Sequence, residues 1–173
     1  MGTSPEPRWL SAEEQQTWLS LVGVMTLLSP ALDTQLQRDA GISHFEYQVL
    51  AMLSESPGRT ARMSRLAALA NGSLSRLSHV VSRLERPGWV ERSPDPEDGR
   101  YTLARLTDAG WEKVVATAPG HVAEVRRLVF DPLTKAQQRQ VREAGRRILH
   151  AIGPDDPCPG DGPGHPDLPE SPE

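Results

Sequence analysis

Ser75, Arg76, Ser78, His79, Ser82 and Arg83 recur at a spacing that gathers them on one side of a helix, opposite Leu74, Leu77, Val80, Val81 and Leu84, at about 100° per residue. Short hydroxyl side chains let such a helix approach a partner closely and hydrogen-bond phosphates or base edges. Arg76 and Arg83 supply longer reach, with a bidentate bond to guanine as the typical specific contact. His79 suits either contact, and each of these side chains taken singly is equally compatible with a solvated helix surface. As a group they carry no carboxylate. From Arg59 to Leu84 there are five arginines (59, 62, 65, 76 and 83) and no acid, which makes nucleic acid a candidate partner. The ratio of 17 Arg to 2 Lys fits genomic base composition equally well.

The elements that must position this face are marked by caps and turns. Ser73 caps the helix, after a tight turn at Asn71-Gly72 and a short helix from about Ser64 to Ala70; Pro87-Gly88 ends it. Two capping boxes, Ser11 with Glu14 and Ser43 with Glu46, open the first and second helices. The first carries an apolar stripe from Trp18 to Leu36 that continues past Pro30, which predicts a kink rather than an end. Beyond Gly88, the segments 89–92 and 101–106 are rich in β-formers and flank a Pro/Asp/Gly loop, a hairpin with a projecting tip. Arg100 closes that tip beside Asp98. A cation there can enter a minor groove; the four acids nearby, Glu91, Asp95, Glu97 and Asp98, favour an ordinary charged hairpin instead, unless Asp98 holds Arg100 or another arginine in place. Thr107 caps a fifth helix, disturbed at Pro119-Gly120, and Thr134 with Gln137 opens a sixth.

Net charge is −4, unevenly distributed: residues 153–173 hold six acids and no Lys or Arg, leaving 19 basic against 17 acidic residues in 1–152. Seven prolines and four glycines in that tail predict disorder. The single cysteine, Cys158, suits a reducing cytoplasm. The longest apolar run, Leu21 to Leu28, is broken by Gly23 and Thr26, which argues against a membrane span, and the N-terminus shows no targeting pattern. His44, His79, His121, His150 and His165 are too scattered to suggest a metal site. Gly160–Gly164 lacks the lysine and flanking elements of a phosphate loop, so no cofactor is expected. No nucleophile, base and oxyanion set indicates an enzyme.

Helix, short helix, tight turn, basic helix and hairpin follow one another in the order of a winged helix-turn-helix, which presents its basic helix to a major groove. The sequence also resembles the MarR-type winged-helix regulators. The resemblance rests on Gly88-Trp89-Val90-Glu91-Arg92, Asp95-Pro96-Glu97-Asp98-Gly99-Arg100 and Leu106-Thr107-Asp108-Ala109-Gly110 in series, and it extends over residues 11–152. It implies that Asp98 and Arg100 take the acid and wing-arginine positions, with Gly99 where a second basic residue is common. It further implies a homodimer through the first and last helices, and a small-molecule pocket where lobe and dimer domain meet.

The expected fold is therefore mainly α: a winged helix-turn-helix lobe with a helical dimerisation domain formed from N- and C-terminal helices. Its parts are an arm and dimerisation helix (1–40), the lobe (41–107), C-terminal dimerisation helices (108–152) and the acidic tail (153–173). The expected function is a sequence-specific, ligand-responsive repressor that binds double-stranded DNA as a homodimer through Ser73, Ser75, Arg76, Ser78, His79, Arg83, Asp98 and Arg100. Trp18, Met25, His44 and Tyr47 are candidate walls for an aromatic or phenolic effector, although ordinary core or interface roles suit each of them better. The alternative is a winged-helix module that binds protein instead of DNA.

Overall fold

A computed structural model describes residues 7–69 and 73–153. The Asn71-Gly72 turn, the acidic tail and Cys158 lie outside these residues. Nine elements follow in chain order: α1 (Ala12–Ala40), α2 (His44–Glu55), β1 (Thr60–Arg62), α3 (Met63–Leu69), α4 (Leu74–Glu85), β2 (Val90–Pro94), β3 (Thr102–Leu106), α5 (Asp108–Val125) and α6 (Lys135–Ile152). The helical caps form as the sequence indicates. Ser11 with Glu14, Ser43 with Glu46 and Thr134 with Gln137 make complete boxes, while Ser73 and Thr107 accept from the backbone N–H groups of Arg76 and Gly110.

The apolar sides of α2, α3 and α4, the C-terminal part of α1 and the strand residues Val90, Ala104 and Leu106 close one core. Leu36, Leu50, Leu53, Leu66, Leu77, Leu84 and Leu106 are its largest fully buried side chains. Leu74 departs from the expected apolar side: it stands exposed at the first turn of α4, where none of the described elements covers it, while Leu77, Val80, Val81 and Leu84 are buried.

The sheet is antiparallel in the order β1-β3-β2. The sequence predicts only the hairpin, in which Val90 pairs with Leu106 and Pro94 with Thr102. The third strand, β1, pairs Thr60 with Arg105 and Arg62 with Leu103. It escapes pattern reading because three residues with one buried Ala61 show no usable alternation.

Gly110 fixes how α5 leaves the sheet. A Cβ there would lie 2.6 Å from Leu106 Cδ1 and closer still to the Trp89 carbonyl oxygen. The Thr107 hydroxyl donates to the Gly88 carbonyl at 2.6 Å, and the Thr107 N–H donates to the Trp89 carbonyl at 3.0 Å. Lys113, one turn further along α5, donates to the Ala40 carbonyl at the end of α1 at 2.7 Å. That contact also satisfies a helix C-terminus with a cation.

Two expectations about the long helices need correction. Pro119 does not interrupt α5, which runs on to Val125 before one π-helical turn at Arg126–Phe130. α1 is also more apolar than its longest unbroken run suggests: mean hydropathy reaches 1.3 over an 18-residue window, enough by length and composition for a span. Gly23, Thr26 and Ser29 interrupt the run without adding charge. Its N-terminal half leaves Trp18, Leu19, Val24, Met25 and Leu27 exposed, and none of the residues of α6 is buried.

Candidate nucleic-acid interface

α4 presents Ser75, Arg76, Ser78, His79, Ser82 and Arg83 away from the core, with Ser73 at its N-terminal cap. The two arginines are not loose. The Arg76 guanidinium lies 4.7 Å from the centroid of Phe45 on α2, and Arg83 reaches the buried carboxylate of Glu46 at 3.1 Å. Both therefore lean toward α2, a direction the helical wheel of α4 alone does not contain. Glu46 thereby serves twice, as capping-box acceptor and as anchor for α4.

The wing places Arg100 at its tip. Arg100 donates through Nε (2.9 Å) and Nη2 (2.7 Å) to the two carboxylate oxygens of Asp98. Those hydrogen bonds hold the Asp98 carboxyl below the usual carboxylate range. The arginine remains 84% exposed, so the pair orients the cation without hiding it. At the wing base, the Arg62 Nε donates to the buried carboxylate of Asp95 at 2.8 Å, and its guanidinium lies 4.5 Å from the Tyr101 ring centroid. Asp95 also accepts from the Glu97 N–H at 2.9 Å. That bond and then Arg62 pull its pKa down.

Arg92 on β2 stands in the sequence only as part of a motif, and its role emerges from its contacts. It reaches back across the Pro87-Gly88 turn to α4, donating to Ser78 Oγ (3.3 Å), Ser82 Oγ (3.0 Å) and both oxygens of Glu85 (3.1 and 2.6 Å). Ser78 and Arg92, with Met63, Leu74, Arg100 and Tyr101, line a cleft of about 230 Å³ between the start of α4 and the wing.

The expected effector walls separate into two places. His44 and Tyr47 both meet His121 of α5, with ring centroids 5.8 and 4.5 Å apart respectively. His44 Nδ1 also lies 3.3 Å from Ser29 Oγ. The histidines are therefore not all scattered: 77 positions of sequence separate two that pack together, which no linear spacing reveals. Burial pushes both imidazoles below the ordinary histidine pKa; Asp33 opposes the shift at His44, and His44 adds to it at His121. Trp18 and Met25 stay exposed on α1. Trp18 lies about 16 Å before Ser29 along the helix axis. Among the described residues, no group of three or more His, Cys, Asp or Glu side chains is placed to hold a metal ion.

A second, larger cleft of about 670 Å³ opens where α1, the start of α2 and α4 meet, and His44, Asp33, Phe45, Arg76 and Arg83 line it. Of the four expected wall residues, His44 borders it.

The helix pair α3–α4, set between β1 and the β2–β3 hairpin of one antiparallel sheet, defines a winged helix-turn-helix protein. Residues 42–102 match the MarR family model. Sco3205, a MarR family transcriptional regulator from Streptomyces coelicolor solved in complex with DNA, is 50% identical. Its superposition covers 88% of this chain and 95% of that one, with a TM-score of 0.82. AbsC, another MarR family regulator from that organism, is 37% identical over 84% of this chain and 98% of its own, with a TM-score of 0.78. The HTH-type transcriptional repressor IacR of Pseudomonas putida is 30% identical over 61% of this chain and 62% of its own. The chain belongs to the MarR family of transcriptional regulators.

Proposed function

We propose that this chain binds double-stranded DNA as a homodimer and acts in the cytoplasm as a ligand-responsive repressor at a pseudo-palindromic site. The observation that carries this reading is the juxtaposition of the Ser/Arg face of α4, whose bordering carboxylate Glu85 is paired with Arg92, with the Asp98-oriented Arg100 of the wing. α4 enters a major groove, where Ser75, Arg76 and His79 reach base edges or phosphates, and Arg100 enters the neighbouring minor groove. The DNA complex of Sco3205, at half sequence identity, supports the same use of the fold. It favours this reading over a winged helix that binds only protein.

The dimer accounts for apolar surface that the single chain leaves open. Trp18, Leu19, Val24, Met25 and Leu27 on α1 and Val141, Ile148, Leu149 and Ile152 on α6 are all exposed. A surface of that extent marks an interaction site, and an interface with a second copy covers it while setting two recognition helices about 34 Å apart, one turn of DNA. This also supports a soluble rather than membrane-embedded α1.

The cleft shared by α1, α2 and α4 supports control by an aromatic carboxylate or phenol. A carboxylate entering it competes with Phe45 for Arg76 and with Glu46 for Arg83, so occupation shifts the helix that meets DNA. Release then requires only unequal affinity of the ligand for the two arrangements. The test is retardation of a genomic fragment from beside the gene, with the protein-to-duplex ratio measured by sedimentation. Two chains per duplex, displaced by a compound from an aromatic carboxylate panel, is the expected result. One chain per duplex contradicts the dimer, and a panel without effect on binding or thermal midpoint contradicts effector control.

A further inference from the structure

The recognition helix and the wing are consecutive in the chain but belong to different elements, joined through Arg86, Pro87, Gly88 and Trp89. Backbone contacts across this join are few: Gly88 N–H to the Glu85 carbonyl at 2.9 Å and Trp89 N–H to the Leu84 carbonyl at 3.1 Å. Both act at the turn itself. Further out, Val90 of the hairpin shares the core with Val81 and Leu84 of α4, and the polar tie among the described residues is Arg92. Its targets Ser78, Ser82 and Glu85 are spaced four and three residues apart, so they form a single stripe along α4 facing β2. The guanidinium fork spans that stripe, closing on Glu85 with two hydrogen bonds and on the serines with one each. Planar, bidentate geometry of this kind fixes orientation as well as distance.

We infer that Arg92 is the positioning residue that keeps the wing in register with α4, so that Arg100 and the recognition face engage adjacent grooves of one duplex together. This rests on the DNA-binding reading above. Two observations beyond the ion pair support it. Arg92 and Ser78 share the lining of the cleft that Arg100 also borders, so the latch sits between the two contacting groups. The other side of the wing base is separately held, by Arg62 on Asp95 and Tyr101; losing Arg92 therefore removes the polar tie that orients the hairpin on α4, while Val90 stays in the core and the hairpin stays attached to β1. Ser78 acquires a second meaning: its oxygen already accepts from Arg92, which leaves its hydroxyl hydrogen and one lone pair for DNA, in directions that Arg92 helps to set.

The test is a double-mutant cycle between Arg92→Ala and Arg100→Ala on a duplex enriched by the wild-type protein from a random pool. In the wild-type background Arg100→Ala is expected to weaken binding about tenfold, and in the Arg92→Ala background by less than about twofold, because a wing out of register gains little from its tip. Minor-groove protection from hydroxyl radicals is lost in Arg92→Ala while guanine N7 protection in the major groove persists. A merely structural role moves neither readout selectively. If Arg92→Ala does not fold, Glu85→Gln enters the same cycle, since it removes the anchoring charge at unchanged size. Losses that multiply, or unchanged minor-groove protection, overturn the role of Arg92 alone. A wild-type protein that enriches no duplex overturns the DNA-binding reading beneath it.

Discussion

Along α1 the treatment of apolar side chains changes with position. Leu32 and Leu36 are buried against the lobe, whereas Trp18, Leu19, Val24, Met25 and Leu27 are more than half exposed. The same contrast separates α4, whose Leu77, Val81 and Leu84 are buried, from α6, whose apolar Val141, Ile148, Leu149 and Ile152 all face outward. Both α4 and α6 segregate apolar from polar residues, but α4 finds its cover within the chain and α6 does not. An amphipathic helix takes its stability chiefly from packing its apolar face. The core around α2, α3 and α4 therefore finds its cover within the chain, while α6 and the first half of α1 leave their apolar faces open.

The largest effects should come from inside the lobe and be independent of protein concentration. Leu50→Ala removes a fully buried side chain and should cost about 2–5 kcal/mol in denaturant unfolding. Gly110→Ala should cost about 1–3 kcal/mol through overpacking against Trp89 and Leu106. A loss under half a kilocalorie at Leu50 would mean that the core closes over the cavity, and at Gly110 that the junction of wing and α5 relaxes more freely than its geometry indicates.

On the other side of the contrast, Ile148→Glu with Leu149→Glu should abolish dimers in sedimentation and remove the concentration dependence of the thermal midpoint. The variant's lobe should remain folded, because neither residue belongs to its core. Dimers that survive this pair of charges would place the interface elsewhere.

A smaller effect follows pH at the joint between the two regions. His44 and His121 are held below the ordinary histidine pKa by burial. Unfolding raises their pKa, so below about pH 6.5 the unfolded chain binds the extra protons. Their contribution to stability is complete above that value and is lost as pH falls through the window down to their folded pKa. The Asp39 carboxyl, lowered to about 2 chiefly by Arg38 and Gln35, acts only in a more acidic window. The thermal midpoint should thus drop on mild acidification, and His44→Gln with His121→Gln should flatten that slope. An unchanged slope would assign it to other groups.

The smallest effect should come from ending the chain at Gly153. Removing a segment with seven prolines, six acids and one large aliphatic residue, Leu168, takes away little apolar surface. The midpoint should stay within about a degree or two by that argument. A drop of several degrees would show that the tail packs on the dimer.

The sequence was most legible where the determining contacts are local. Each cap at Ser11, Ser43, Ser73, Thr107 and Thr134 involves residues three positions apart, and each forms. The wing was readable because Asp98 and Arg100 are two residues apart and pair directly. Legibility failed where partners come from distant elements. β1 becomes a strand only because β3 lies beside it. The packing of His44 on His121 and of Arg76 on Phe45 needs the lobe assembled first. Arg92 lies between these cases: Glu85 is only seven residues away, but the turn at Pro87-Gly88 had to be placed before the pair could be seen.

The most direct test of the central claim, that α4 and the wing together bind DNA, is to titrate an operator-bearing fragment at two salt concentrations with wild type and with Arg76→Ala/Arg100→Ala. Loss of a base contact at Arg76 should cost about 1–3 kcal/mol and relax preference at one position. A lost phosphate contact should weaken all sequences alike and reduce the salt slope by about 1. If that claim holds, wild type binds with an affinity that weakens with salt, and the double variant shows a clear loss at an unchanged thermal midpoint. Equal affinity of the two proteins would contradict it.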